Sequence, residues 1–152
     1  LSEIAGNVAS ELAPISDEHQ VVINAPEPVM VCGNGDELHR VILNLIDNAI
    51  RHTPPGSTIT VTSHLDGDIA EVRVDDDGPG IPREMWPTIF DRFVRHHGPG
   101  DRAKGKGTGL GLSIVRVIAR RHGGTATVGE SAAGGASFVV RIPASSAEST
   151  AA

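Results

Sequence analysis

The chain has 152 residues and a formal net charge of −6, with 39% hydrophobic and 21% charged residues. This length is enough for one domain that buries roughly 68–70% of its unfolded surface without a metal or a disulfide. The net negative charge disfavours nucleic acids and anionic membranes as partners, and no apolar run is long enough to span a bilayer. The single cysteine, Cys32, excludes an internal disulfide, and we expect it to be a buried thiol.

The predicted elements alternate between helices and strands in an irregular order. Apolar spacing predicts helices over residues 1–12, 36–53, 83–93 and 110–122. Four β-rich runs predict strands over 58–65, 69–75, 125–130 and 136–142, and two shorter runs, 20–25 and 29–32, predict a pair of strands or edge segments. Glycine turns at residues 66–68 and 133–135 predict two hairpins, and Gly123 and Gly124 are expected to end the last helix. The pattern favours an α+β sandwich, with helices over one mixed sheet.

An acidic run ends the second strand of the first predicted hairpin. Period-two alternation places Asp76 on the same face as Val72 and Val74, so a core-facing pair of valines would bring this carboxylate inward. A buried carboxylate needs hydrogen-bond donors, and a flat amine-bearing ligand such as adenine could supply one. Asp75 and Asp77 would then point outward and be solvated. Alternatively, the acidic run simply ends a strand in a turn.

The first long helix carries two asparagines one turn apart, Asn44 and Asn48, followed on the same side by Arg51 and His52. Asparagine is a poor residue for a helix interior, so this spacing suggests a function. A carboxamide oxygen is a suitable neutral ligand for Mg²⁺ beside substrate phosphates. The alternative is an exposed polar face of the helix.

The second long helix is preceded by a glycine-rich loop, in which Gly107, Gly109 and Gly111 lack the Cβ that would block close approach. The helix after it offers free N–H groups and its positive dipole end to an anion. Residues 92–106 are locally basic, which suggests a small anionic ligand, although a solvated loop is the alternative. The loop lacks the Gly-Lys-Ser/Thr ending of a P-loop and the preceding strand of a dinucleotide-binding unit.

Taken together, these residues make the chain resemble the catalytic, ATP-binding domain of a bacterial two-component sensor histidine kinase, in the superfamily shared with DNA gyrase, heat-shock chaperones and mismatch-repair ATPases. Four motifs stand in the family's order: an N box at residues 43–52, a first glycine box at 76–81, an F box at 89–93 and a second glycine box at 107–112. The resemblance implies the Bergerat-type ATP-binding fold, a two-layer α/β sandwich with a mostly antiparallel mixed sheet covered on one face by helices. It would occupy residues 15–143, with the end of a stalk helix at 1–14 and a disordered tail at 144–152.

The resemblance also implies cofactors and site residues. ATP would be bound by Asn44, Asn48, Arg51, His52, Asp76, Gly78, Gly80, Ile81, Phe90, Arg92, Arg95, Lys106, Gly107, Thr108, Gly109, Leu110, Gly111 and Leu112. Asn48 would coordinate the Mg²⁺ that bridges the phosphates, and Asp76 would accept a hydrogen bond from the adenine amino group. Residues 92–106 would form a mobile ATP lid, anchored by Phe90 and Phe93.

Three departures from the family's pattern bear on these expectations. Asp77 stands where asparagine is frequent, and Ala136 replaces a threonine often seen in the last hairpin, which puts one hydrogen bond beside adenine in doubt. Whether Ser137 compensates is left open by the sequence. The chain has no His-Glu-Leu-Arg-Thr-Pro-like acceptor motif, so we do not expect it to phosphorylate itself.

The function that the resemblance implies is a kinase half-reaction, in which the domain donates the γ-phosphate of ATP to a histidine on a separate dimerisation hairpin. A cognate response regulator would then receive the phosphoryl group. The fragment is expected to be cytoplasmic, as part of a membrane-bound sensor, without direct contact to membrane or nucleic acid. Two alternatives share the pocket: a gyrase-type ATP-hydrolysing module, disfavoured because Asn44 stands where those relatives have a glutamate, and a serine kinase that restrains a sigma factor.

Overall fold

The computed structural model describes residues 18–25, 29–91 and 111–144, together with Ile4, Gly6, Asn7 and Ser10. The strands are β1 (Gln20–Asn24), β2 (Thr58–Asp66), β3 (Ile69–Asp76), β4 (Thr125–Glu130) and β5 (Ala136–Pro143), and the long helices are α1 (Gly35–Arg51) and α2 (Gly111–Arg121). The four described residues of the predicted N-terminal helix are helical.

The five strands form one sheet in the order β1-β2-β3-β5-β4. β1 pairs with β2 in parallel, and the other three pairings are antiparallel. Both predicted hairpins are present, so the prediction of a mostly antiparallel mixed sheet is confirmed. Of the two shorter runs, residues 20–25 contain strand β1, whereas residues 29–32 form no strand: in that run only Val31 forms a bridge, with Ala144. That bridge also orders the first residue of the predicted disordered tail.

Helix α1 begins where Asn34 caps it. The Asn34 carboxamide oxygen accepts hydrogen bonds from the backbone N–H groups of Asp36 and Glu37, at 2.9 and 3.1 Å. Such a cap satisfies two N–H groups that have no partner within the helix. The five residues of the apolar stripe that predicts this helix are all buried: Leu38, Val41, Ile42, Leu45 and Ala49. Ile46 and Ile50 are buried as well.

The core lies between the two helices and one face of the sheet. It combines the α1 stripe with inward-facing residues of β2, β3 and β5, among them Ile59, Val61, Val72, Val74 and Phe138. On the opposite face of β3 the carboxylate of Glu71 is buried, where it pairs with Arg73 and Arg141. The apolar face therefore explains why both helices pack on the same side of the sheet.

Helix α2 ends in a Schellman motif, as its two terminal glycines predict. Gly123 has a φ of +78° and donates its N–H to Arg120, while Gly124 donates to the carbonyl of Ala119 at 2.8 Å. Gly124 also touches β5 closely, because a Cβ there would lie 1.9 Å from the carbonyl oxygen of Arg141. Only glycine therefore allows the chain to turn from α2 into β4 at this point.

Two further expectations fail in the described part of the chain. The helical piece predicted over residues 83–93 is only a 3₁₀ turn at Arg83–Met85, followed by turns. Cys32 is exposed, because the short run after Pro28 packs through Val29 instead. None of the helices in the described residues is both long and apolar enough to cross a bilayer.

Candidate functional site

Asp76 lies at the end of β3 with its carboxylate turned inward, as the alternation of the strand predicts. The residue is 6% exposed. Its Oδ1 accepts hydrogen bonds from the backbone N–H groups of Gly78 at 3.0 Å and Ala136 at 3.1 Å. Oδ2 accepts no hydrogen bond from the residues that the structure describes. One oxygen is therefore held in place, and the other is left without a donor among the described residues.

Burial raises the pKa of the Asp76 carboxyl above its ordinary value of 3.8. The hydrogen bonds from Ala136 and Gly78 oppose this effect, while the charges of Asp77 and Asp75 add to it. The two backbone hydrogen bonds to this carboxylate therefore do not offset the effect of its burial. A ligand N–H directed at Oδ2 would supply the missing stabilisation.

The two neighbouring aspartates differ from each other. Asp77 is exposed, as predicted, and accepts a hydrogen bond from the Thr58 backbone N–H at 2.8 Å. The prediction of a solvated Asp75 is wrong, because Asp75 is half-buried and its Oδ1 is buried with no hydrogen-bond partner among the described residues. Its side chain lies on the outer face of the sheet, beside Ser137 in the register of β3 and β5.

The first glycine box follows β3 and packs against the residues just after α1. A Cβ on Gly78 would lie 2.6 Å from Cγ2 of Thr53, the second residue after α1, and 3.3 Å from Oδ1 of Asp76. Thr53 is itself fixed, since its hydroxyl donates to the carbonyl of Ala49 at 2.7 Å. Asp76 and the carboxyl-terminal end of α1, where Asn48 lies, are therefore on the same side of the molecule.

Gly80 is the second glycine of this box, and its backbone conformation requires glycine. Its φ is +77°, in the region that side chains rarely adopt, and a Cβ would lie 3.2 Å from the carbonyl oxygen of Gly134. The loop after β3 thus packs backbone to backbone against the turn between β4 and β5. A cleft of about 310 Å³ lies between these two segments, with Ile81 and Trp86 in its wall.

The turn between β4 and β5 is the part of the site that sequence reasoning missed. Gly135 is buried, and a Cβ there would lie 2.2 Å from the carbonyl oxygen of Asp76 and 2.3 Å from its Oδ1. The hydroxyl of Ser131 donates to the same carbonyl oxygen at 2.6 Å. Only the Gly134-Gly135 pair, which predicted a turn, hinted at close backbone approach in the sequence.

Ser137 does not replace the threonine that is often found at position 136. The Ala136 side chain is part of the core between sheet and helices. Because side chains alternate along a strand, Ser137 points to the opposite face. What position 136 contributes to Asp76 is its backbone N–H.

The polar face of α1 forms the next part of the candidate site. Asn44, Asn48, Arg51 and His52 are all half-buried. The Asn44 Nδ2 atom is buried and has no hydrogen-bond partner among the residues that the structure describes. Arg51 forms an ion pair with Asp47, with 2.9 Å between Nε and Oδ2. A buried amide donor without a partner is rare in folded proteins, and it points to an acceptor that lies beyond the described residues.

Helix α2 begins opposite Asn44. A Cβ on Gly111 would lie 3.8 Å from both Cγ and Oδ1 of Asn44, so the start of α2 and the asparagine face of α1 are in contact. Leu112 packs partly buried against the core. The two predicted elements for phosphate binding therefore meet, as far as the described residues extend.

The F box contributes to the core. Phe90 is buried and packs edge-to-face on Phe138, with ring centroids 6.1 Å apart. The remaining predicted site residues lie outside the described residues: Arg92, Arg95, Lys106, Gly107, Thr108, Gly109 and Leu110, as does Phe93 with the rest of the predicted lid.

The residues that the structure brings together fit a purine nucleotide with a metal-bound phosphate chain. One wall offers a carboxylate oxygen to an amine, and the other offers carboxamide groups and the start of a helix. In the described part of the chain, no three histidine, cysteine, aspartate or glutamate side chains converge as a metal site. A magnesium ion here would thus be held by an asparagine oxygen and by the phosphates of the ligand itself.

The architecture is that of the ATP-binding catalytic domains of histidine kinases. The solved structure of the mycobacterial sensor histidine kinase MprB superposes with a TM-score of 0.83 at 28% identity, covering 93% of this chain and 94% of that one. The ATP-binding domain of PrrB from Mycobacterium tuberculosis gives a TM-score of 0.76 at 28% identity, covering 95% and 94%.

The sequence comparisons agree with this match. The chain belongs to the histidine kinase-, DNA gyrase B- and HSP90-like ATPase family, whose model matches residues 33–146. It is 42% identical to the sensor histidine kinase TrcS of Mycobacterium tuberculosis over 149 residues, which is 94% of this chain but 29% of that protein. The chain therefore spans less than a third of the length of that relative.

Proposed function

We propose that this domain binds Mg·ATP and donates the γ-phosphate to a histidine on a separate dimerisation hairpin of a two-component sensor kinase. A cognate response regulator would accept the phosphoryl group in the next step. The observation that carries the proposal is the inward carboxylate of Asp76, with one oxygen fixed and the other without a partner in the described residues, beside the end of α1.

Each wall of the site has a distinct role in this proposal. Asp76 Oδ2 accepts a hydrogen bond from the amino group of adenine, and Asp76 is therefore the residue that selects the base. Asn48 supplies an amide oxygen to Mg²⁺, and Asn44 donates from Nδ2 to a phosphate oxygen. A bound Mg²⁺ ion would neutralise charge on the phosphates during transfer. The protein groups otherwise bind and orient the nucleotide.

Phosphoryl transfer is favoured over hydrolysis by the chemistry of the N box. A gyrase-type hydrolase needs a carboxylate that can accept a proton from the attacking water. Asn44 occupies that position in the motif and bears an amide, which does not accept a proton in this way. The chain would thus hold ATP intact until an acceptor histidine enters the site.

The direct test mixes this chain with the acceptor hairpin of its parent kinase, produced separately, and with ATP labelled at the γ-phosphate. We expect magnesium-dependent label on the hairpin, stable in alkali and labile in acid as a phosphohistidine. We expect no label on this chain alone and negligible steady-state release of phosphate.

Two controls make this test specific. A hairpin with its histidine replaced by glutamine should take up no label, and Asp76→Asn should lower transfer at limiting ATP. Absence of nucleotide binding by calorimetry would refute the proposal. Steady phosphate release at a rate similar to histidine labelling would favour the hydrolase instead.

A further inference from the structure

The hydroxyl of Ser131 lies at the centre of the contact between Asp76 and the β4–β5 turn. It donates to the Asp76 carbonyl oxygen at 2.6 Å and accepts from the Gly135 N–H at 2.9 Å. Ser131 is 8% exposed, and 55 residues separate it from Asp76. Both of its hydroxyl bonds are made to backbone groups, so the side chain acts as a bridge between two separate segments.

These bonds complete a closed ring around Asp76. Ser131 Oγ holds the backbone carbonyl of Asp76 on one side and Gly135 on the other, and the next residue, Ala136, donates to the Asp76 Oδ1 at 3.1 Å. The backbone and the side chain of the aspartate are thus both fixed by one turn. Apart from the Asp76 carboxylate, the Ser131 hydroxyl is the one side-chain group in this ring of hydrogen bonds. Removing the hydroxyl therefore breaks the ring.

The turn itself is held in shape by the same serine. The Ser131 N–H donates to the Gly135 carbonyl at 2.8 Å, and the Gly134 N–H donates to the Ser131 carbonyl at 3.0 Å. The absence of a Cβ at Gly135 allows the turn to press against the Asp76 carboxylate. A small shift of the turn would therefore move the aspartate oxygen that faces the ligand.

We infer that Ser131 is a positioning residue for base selection: its hydroxyl holds Asp76 so that Oδ2 faces the amino group of a 6-aminopurine. This inference rests on the proposed function, because it assigns Ser131 a role in the nucleotide specificity of that site. Guanine presents a carbonyl oxygen where adenine presents the amino group, so a fixed carboxylate rejects guanine and a loosened one rejects it less. Ser131 does not itself contact the nucleotide.

The experiment measures the affinities of the unmodified chain and its variants for Mg·ATP and Mg·GTP by titration calorimetry. Ser131→Ala should bind ATP about tenfold more weakly, with a smaller change for GTP, so that the ratio of the two affinities falls. Ser131→Thr keeps the hydroxyl and should show the same ratio of ATP to GTP affinity as the unmodified chain. Thr127→Ala removes an exposed hydroxyl from the same hairpin and should leave it unchanged.

A second variant guards against loss of the fold. Ser131→Cys keeps the size of the side chain but offers a much weaker donor, and it should also lower the ratio. The melting temperature of each variant is followed through Trp86, the single tryptophan of the chain, and titrations are made well below it. General destabilisation would lower both affinities together, whereas mispositioning of Asp76 changes their ratio.

The outcomes separate the two proposals. If the unmodified chain prefers ATP and folded Ser131→Ala or Ser131→Cys keeps the same preference, the role of Ser131 is refuted while the proposed function stands. If the unmodified chain binds neither nucleotide, the proposed function fails and the inference fails with it. A lowered ratio in both variants, restored by threonine, supports the inference.

Discussion

Gly78 lies directly against the methyl group of Thr53, and a Cβ on the glycine would be 2.6 Å from Cγ2 of the threonine. This contact brings the loop after β3 to the end of α1. Thr53 is 1% exposed and its hydroxyl donates a hydrogen bond to the Ala49 carbonyl, so the threonine cannot easily move aside. The contact therefore couples the position of Asp76 to that of the helix that carries the asparagines.

Gly78→Ala should force these two segments apart. We expect the substitution to lower the free energy of unfolding by about 1–3 kcal/mol, as overpacking of a dense interior does, and to weaken ATP binding because Asp76 accepts from the Gly78 N–H. Urea denaturation and calorimetry measure the two effects. Gly129→Ala is the matched control, since a Cβ there meets nothing within 4 Å. Equal stability of the two variants would contradict the close contact.

Asp76→Asn should separate binding from stability. The amide oxygen can still accept from Gly78 and Ala136, so the fold is kept, but the NH₂ group would replace the acceptor that faces adenine. We expect ATP affinity to fall roughly 10- to 100-fold, as for loss of a hydrogen bond to a charged group. Calorimetry at pH 7 measures this loss. Unchanged ATP affinity would remove Asp76 from the site.

The same variant should change how stability depends on pH. Because burial raises the pKa of Asp76 above 3.8, the folded protein holds this proton more tightly than the unfolded chain does. The stability contributed by this group is fully present below pH 3.8 and is lost as the pH rises through the raised pKa. Relative to the unmodified chain, Asp76→Asn should thus gain free energy of unfolding between acidic and neutral pH. Parallel pH profiles of the two proteins would show that burial does not act on this carboxyl.

The inward position of Asp76 follows from local alternation in β3, and the span of α1 follows from its apolar stripe and the prolines after it. Ser131 and Gly135 could not be predicted as site residues, because their contacts with Asp76 join segments more than 50 residues apart. The apolar run 29–32 misled the prediction for a related reason: Val29 is buried, but only Val31 finds a bridging partner. Local patterns therefore predicted the inward side chains of β3 and α1, and tertiary pairing decided what those side chains contact.

Asn44→Leu tests whether the buried amide has a function in the folded chain. Its Nδ2 has no hydrogen-bond partner in the described part of the chain, so an apolar side chain of similar shape should remove a cost of burial. We expect the melting temperature to stay the same or to rise, while affinity for Mg·ATP falls about tenfold. Asn24→Leu replaces an exposed asparagine on β1 and should leave affinity unchanged. A large loss of stability in Asn44→Leu would instead indicate a structural role for the amide.

The side chain of His122, just after α2, contacts the residues that precede α1, which are distant in the sequence. Its Nδ1 lies 2.8 Å from the Ile118 carbonyl oxygen, and its Nε2 accepts from the Asn34 N–H at 3.2 Å. The first bond requires Nδ1 to carry the proton, because a carbonyl oxygen only accepts. His122→Ala should therefore lower the free energy of unfolding by about 1–3 kcal/mol, whereas Arg120→Ala, on the exposed face of the same helix, should change it by less than about 0.5 kcal/mol.

A double-mutant cycle with Gly33 makes this prediction specific to the packing of the ring. A Cβ on Gly33 would lie 2.3 Å from Cδ2 of His122, so Gly33→Ala alone should destabilise the protein. Once His122 is replaced by alanine, the space is open, and the same glycine substitution should cost much less. Urea denaturation of the four proteins gives the coupling free energy. Additive effects of the two substitutions would show that the ring does not occupy this position in solution.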